Sequence, residues 1–339
     1  MNKKKLGAHF LGPSITAFLS FITLPILSNY FSIDDIGKFS MLQLAVNLSL
    51  VIFSIGLHQS FVREYYECGK KGSLTLSMVL VPISLFFITI LFSKILNVSY
   101  SHYLFEIESD ILDLFVSICL FSGLWIHLTN HILRMQERVN SYAVMLFLPK
   151  LLTLLSTLTL VFYFKRSDFQ GLIYCALVSY FCSMLFCLFL NKGALMYALS
   201  EGFDRKITSN MIRFGSPLVL GGLAFWLLTA MDKVFIKQLS SYSELGYYSM
   251  AANFTAIIAL FSTVFLNIWN PLVYKWVAEK TGLVKFTNSM DLVFIAILCL
   301  WSLSGVFSWI IPLVLPEELK KVETIFLLLI GGPILKLFF

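Results

Sequence analysis

Apolar residues run in long blocks along most of the chain, broken by short polar turns. An α-helix needs about 20 apolar residues to cross the hydrocarbon layer, and the blocks have that length. Ten-residue stretches of strand-like alternation are absent, so helices rather than a barrel are expected to carry the spans. The pattern predicts helices over about 6–31, 39–62, 74–96, 111–133, 142–164 and 171–190. One extended polar gap follows, 191–209. Beyond it the pattern predicts helices over about 211–236, 247–269 and 292–315, with another starting near Val322. The first block follows Lys3, Lys4 and Lys5, exceeds the apolar core of a secretory signal and lacks a small-residue cleavage site, so it is expected to stay as the first helix.

The chain also repeats itself. Gly12 to Met41 and Arg213 to Met250 both run from a proline, Pro13 or Pro217, through a long apolar segment and a short acidic loop into a matching end. That end reads Ile36-Gly37-Lys38-Phe39-Ser40-Met41 in the first copy and Leu245-Gly246-Tyr247-Tyr248-Ser249-Met250 in the second. The prolines are 204 positions apart and the glycines 209, a difference of five residues expected in the loop, where insertions are best tolerated. An even number of helices precedes the second copy, so the copies share one orientation, related by an axis along the membrane normal. The expected fold is an all-α, polytopic membrane helix bundle of two same-orientation lobes. Residues 1–190 form a six-helix first lobe, 191–210 a cytoplasmic linker, and 211–339 about four of an expected six helices. On that count the chain reads either as a C-terminally truncated twelve-helix protein or as a short form in its own right. Duplicated bundles are the usual frame of transporters, with the substrate path between the halves.

Composition agrees with the span count. The chain is 58% hydrophobic and 13% charged, far from the roughly half-apolar, quarter-charged mixture of soluble domains. Fifteen Lys and Arg fall in the loops on the side of the N-terminus and seven on the other side, which places the N-terminus in the cytoplasm. That topology accounts for the net charge of +6; basic runs interleaved with aromatics, which would point to nucleic acid, are absent. The six cysteines contain no CxxC pair and sit mostly in apolar runs, as expected of reduced core thiols without a disulfide or metal framework. Neither GxxxxGK[ST] nor GxSxG occurs, so no nucleotide-driven motor, enzyme activity or cofactor is expected.

Several stretches resemble the Wzx-type polysaccharide and O-antigen flippases of the multidrug/oligosaccharidyl-lipid/polysaccharide exporter superfamily. In the first lobe these are Ile36-Gly37-Lys38-Phe39-Ser40, Ile55 through Glu67 (IGLHQSFVREYYE), and Leu133-Arg134-Met135-Gln136-Glu137-Arg138. In the second they are Phe214-Gly215-Ser216-Pro217-Leu218, Ala224-Phe225-Trp226, Asp232-Lys233 and Leu245 through Ser249. The resemblance implies a bacterial inner-membrane protein that moves an undecaprenyl-diphosphate-linked oligosaccharide from the cytoplasmic to the outer leaflet by alternating access. It further implies membrane lipids, a polysaccharide polymerase with its chain-length machinery, and a proton or sodium gradient as partners. The sequence departs from the family at His58, where an acid is common, and in the missing C-terminal helices. Open alternatives are a multidrug or cation exporter of the same fold, a membrane polymerase or ligase, and an inactive fragment.

A lipid-linked sugar presents a pyrophosphate to neutralise and a glycan to keep out of hydrocarbon, and a cationic cleft between helices meets both needs. Ionisable residues within spans are the candidates, since each costs about 2.5–3.5 kcal/mol at a helix centre unless it faces a cavity or a partner. Lys150, just after Pro149, Lys233 and Lys336 are candidate substrate-binding cations, with snorkelling to the headgroups as the structural alternative. Arg63 and Arg134, near cytoplasmic ends, are candidate first contacts for the diphosphate or simple positive-inside anchors. Asp232 and His58 are candidates for ion coupling, and a paired carboxylate is the alternative for Asp232. His127 and His131 have the i, i+4 spacing of a metal pair, but with no third ligand in the sequence beside them they read as a satisfied polar pair.

Overall fold

The computed structural model describes residues 3–256, with side chains from residue 12, and, further on, 294–295, 297–299, 301–302, 305–306, 308, 315–316 and 319–332. The first helix, α1 (Lys3–Tyr30), contains Pro13 and Pro25. Side chains add bonds to its backbone: Thr16 donates to the Gly12 carbonyl at 2.8 Å and Asn29 to that of Pro25 at 2.7 Å. Phe31 and Ser32 turn the chain, and Ser32 caps α2 (Ile33–Ser54) by accepting the Asp35 amide, with Asp34 and Asp35 in the positively polarised first turn.

Ile55 and Gly56 both adopt left-handed backbone, φ 46° and 66°, and break the predicted second span into α2 and α3 (Leu57–Glu64). Then follow α4 (Lys71–Ile95), the short α5 (Tyr100–Phe105), α6 (Asp110–Met135), α7 (Val139–Phe162), α8 (Phe169–Glu201) and α9 (Arg205–Leu239). A further helical run covers 242–256, here α10, and another helix spans Lys321–Leu329. Strands do not occur among the described residues. Six of these helices, α2, α4 and α6 to α9, are long and apolar enough to cross a membrane.

In the first lobe α8 lies against α4, α6 and α7, while α1 packs along α7 and α2 along α6. Leu42, Phe61, Met78, Leu124, Leu128 and Ile132 are fully buried at the centre. Phe87, Ile88, Leu91 and Phe92 of α4 are exposed together. A contiguous apolar face of that kind is stable in lipid and a liability in water.

Two expectations change. The predicted gap at 191–209 is helical except for Gly202, Phe203 and Asp204. Hydropathy missed this because α8 and α9, with 33 and 35 residues, reach about 50 Å at 1.5 Å per residue. That exceeds the hydrocarbon thickness of about 30 Å, so their polar ends stand in water. The five extra residues of the second copy also lie elsewhere than in the loop. Both copies turn in two residues, and Gly37 and Gly246 each fall fifth in the next helix. Seventeen positions separate Pro13 from the end of its helix and 22 separate Pro217 from the end of α9, so the insertion lengthens the helix. Most of the predicted span 292–315, the far end of 247–269 and Lys336 lie outside the described residues.

Candidate inter-lobe cavity

The repeated glycines meet each other. A methyl group on Gly37 would overlap the Tyr242 carbonyl, and one on Gly246 the Ile33 carbonyl, so α2 and α10 cross backbone to backbone at their first turns. Polar contacts surround the crossing. Ser243 donates to Asp34, the Tyr242 hydroxyl donates to the Leu104 carbonyl at 2.9 Å, and Lys237 pairs with Glu106 at 3.1 Å. Lys38 lies 5.4 Å from the centre of the Tyr242 ring.

At the other end of α2 a second contact joins the lobes. Gly56 meets Gly215 of α9 backbone to backbone, and a methyl on either would strike the other strand of chain. Ser60 donates to the Met211 carbonyl at 2.8 Å, and the Ser77 and Thr208 hydroxyls are 2.7 Å apart. Lys70 pairs with Asp204 at 3.0 Å. That hydrogen bond holds the Asp204 carboxyl below the usual carboxylate range and raises Lys70 above its ordinary value. An open groove of about 630 Å³ lies here, lined by Arg63 and Arg213 together with Glu64 and Glu67. The Arg63 guanidinium sits 4.2 Å from the centre of the Phe214 ring, a cation–π contact from lobe to lobe.

Between the two contacts is a cavity of about 40 Å³. Lys150 of α7 and Lys233 of α9 both line it, with Thr23, Gln43, Ser40 and Ser249 among their neighbours. The two serines are equivalent positions of the repeat, three residues after Gly37 and Gly246. Among the described residues neither lysine has a carboxylate partner. Two ammonium groups sharing one polar space repel each other, and an anion placed between them removes that cost. A space of about 40 Å³ has room for only a few waters, so admitting a larger ligand requires the lobes to part.

The other sequence candidates fall elsewhere. Arg134 is exposed near the end of α6. Asp232 is exposed and accepts a 2.8 Å hydrogen bond from Tyr248, a partner the sequence did not single out. His58 lies beside His127 and His131, with ring centres 4.9 and 5.0 Å away, so the fold supplies the third imidazole that the spacing on α6 lacked. The signal for the serines was available, since both repeats end in Ser-Met; that for Tyr248 and the histidine group was not, because each joins segments without a shared motif.

A family model described as "Polysaccharide biosynthesis protein" matches residues 3–275. A Haemophilus influenzae (strain ATCC 51907 / DSM 11121 / KW20 / Rd) protein described as "Lsg locus putative protein 1" is 23% identical over 308 residues, covering 90% of this chain and 73% of that one. A multidrug resistance MATE family transporter of the MOP superfamily, solved in an inward-facing conformation, superposes with a TM-score of 0.58 at 14% identity, over 94% of this chain and 78% of the other. A MATE structure in complex with MaD3S gives 0.53 at 14% identity, over 99% and 80%. The fold is that of these membrane transporters.

Proposed function

Because this chain belongs to the polysaccharide biosynthesis protein family and has a MATE-like transporter fold, we propose that it flips an undecaprenyl-diphosphate-linked oligosaccharide across the bacterial inner membrane, from the cytoplasmic to the outer leaflet. The observation that carries the reading is the cavity between the lobes. It offers one cation from each lobe, hydroxyl and amide neighbours, and no described carboxylate. A pyrophosphate matches that arrangement in charge, while hydroxyls and amides suit the first sugars of the glycan. The polyprenyl tail stays in the lipid beside the cleft.

In this scheme the lipid-linked sugar approaches on the cytoplasmic side, where Arg63 and Arg213 line the open groove and Arg134 adds positive charge nearby. Parting of the Gly56–Gly215 contact lets the diphosphate reach Lys150 and Lys233. Closing that contact and opening the Gly37–Gly246 crossing then releases the glycan outside. Asp232, held by Tyr248, is the residue to which coupling to a proton or sodium gradient is assigned. A cation exporter of the same fold would instead place an acid at the cavity, where this chain has lysines.

Replacing Lys150 and Lys233 by alanine in the chromosome tests the proposal. Surface polysaccharide should fall and lipid-linked repeat units accumulate while the amount of the protein in the membrane is unchanged. Normal polysaccharide in the double variant would sink the assignment.

A further inference from the structure

Three histidines outside the lysine cavity form a triangle. His58 stands at the start of α3, just past the Ile55–Gly56 break, and His127 and His131 share one face of α6. Their ring centres are 4.9, 5.0 and 5.0 Å apart, and one nitrogen from each lies within 4.8 Å of the other two. The Nδ1 atoms of His58 and His131 are enclosed and have no hydrogen-bond partner among the described residues. A buried polar atom without a partner is costly, so two in one cluster call for an occupant. Three imidazoles that merely packed together would be expected to bond one another or a neighbouring backbone group, and no such bond is found among the described residues.

We propose that His58, His127 and His131 bind a divalent transition-metal cation of the zinc class. The donor set decides the class. Three imidazoles without a carboxylate suit Zn²⁺, Co²⁺ or Ni²⁺ and not the oxygen-seeking Mg²⁺ or Ca²⁺. Nitrogens bound about 2.0–2.1 Å from a tetrahedral zinc lie about 3.4 Å from each other. The ligand nitrogens here lie within 4.8 Å of one another, so binding draws them together by up to about 1.4 Å. His58 and His127 also line a groove of about 160 Å³ that continues to Gln59, Ser54 and, across the lobe boundary, Gly222 and Phe225 of α9. Water fills the remaining coordination position from that side.

The site has a mechanical consequence. A metal there ties the first turn of α3 to α6, and so fixes the break at Ile55–Gly56 that carries the backbone contact with Gly215. The segment that must move when the lobes part on that side is then anchored to the core of the first lobe.

The test uses the full chain, purified, stripped of metal and placed in lipid nanodiscs, with Co²⁺ as the spectroscopic probe and Zn²⁺ as competitor. One Co²⁺ per chain should bind with visible bands of a nitrogen-rich, low-coordinate site, without a thiolate charge-transfer band, and Zn²⁺ should displace it. Blocking the free cysteines should leave this binding unchanged. His58→Gln, His127→Gln and His131→Gln should each weaken it about tenfold or more. Each variant is read only against its own metal-free melting curve, so a misfolded one is recognised. Absence of binding by the unsubstituted chain, a thiolate spectrum, or wild-type affinity in all three folded variants would overturn the proposal. None of these results depends on the transported substrate.

Discussion

Lys150 and Lys233 come from different lobes, and each would cost several kcal/mol in hydrocarbon if it faced lipid. Both face one polar cavity, and under the proposed function they would act as a pair toward an anion. A hydrogen bond to a charged group contributes about 1.5–3 kcal/mol, so losing one lysine should slow export about tenfold or more. Lys150→Met should therefore depress the rate of surface polysaccharide synthesis, and Lys150→Arg should restore much of it; equal rates in both variants would show that charge at this position is immaterial. At Asp232 the relevant neighbour is the Tyr248 hydroxyl. Asp232→Asn should flatten the response of export to an imposed proton gradient, and an unaltered response would remove it as the carrier. The sequence marked both lysines and Asp232 one by one, because a charge inside an apolar run stands out. It did not show that the lysines share a space or that His58 joins His127 and His131, since no periodicity links positions on separate helices.

The helices show the same division. Apolar runs located α1, α4, α6 and α7 to within about three residues, because burial in lipid dictates their length. Runs of polar residues hid the ends of α8 and α9, where helical hydrogen bonding continues in water. The break between α2 and α3 was equally hidden, although Gly56 sits at it with φ 66°. Gly56→Ala should destabilise the protein by about 1–3 kcal/mol from backbone strain alone, with a further penalty from the overlap with the Gly215 carbonyl. Gly193→Ala, in the interior of α8 with open space around it, should instead be neutral or stabilising by up to about 1 kcal/mol. Thermal melting in one detergent distinguishes the two. The Lys70–Asp204 tether holds the start of α4 to the start of α9. Asp204 is depressed, so its contribution is present above the ordinary carboxylate range and lost as pH falls through the lower folded value. Lys70 is raised, so its contribution persists to the upper edge of the lysine range and disappears above it. Melting temperature should thus respond to Lys70→Ala at neutral pH and become insensitive to it in strong acid. Asp204→Ala should cost more, because Asp204 also accepts the Lys206 and Ile207 amides at the start of α9.

For the whole molecule, two glycine contacts bracket the lysine cavity, one at each end of α2. Each is a backbone-to-backbone approach that a single methyl group would disturb, which suits a pair of gates closed by shape rather than by strong bonds. The ion pairs around them are partly exposed and individually weak, so neither gate is locked. Gly37→Val should hold the Gly37–Gly246 crossing apart, seen as faster labelling of a cysteine placed at Ser249 by an impermeant thiol reagent; unchanged labelling would show that the crossing does not close the path. What passes between the gates is read most directly from the leaflet position of the undecaprenyl-diphosphate-linked oligosaccharide in spheroplasts, measured by its accessibility to an added glycan-cleaving enzyme. Cells with the unsubstituted gene should expose the glycan outside, and cells with Lys150→Met and Lys233→Met together should retain it inside. Equal exposure in the two strains would contradict the account.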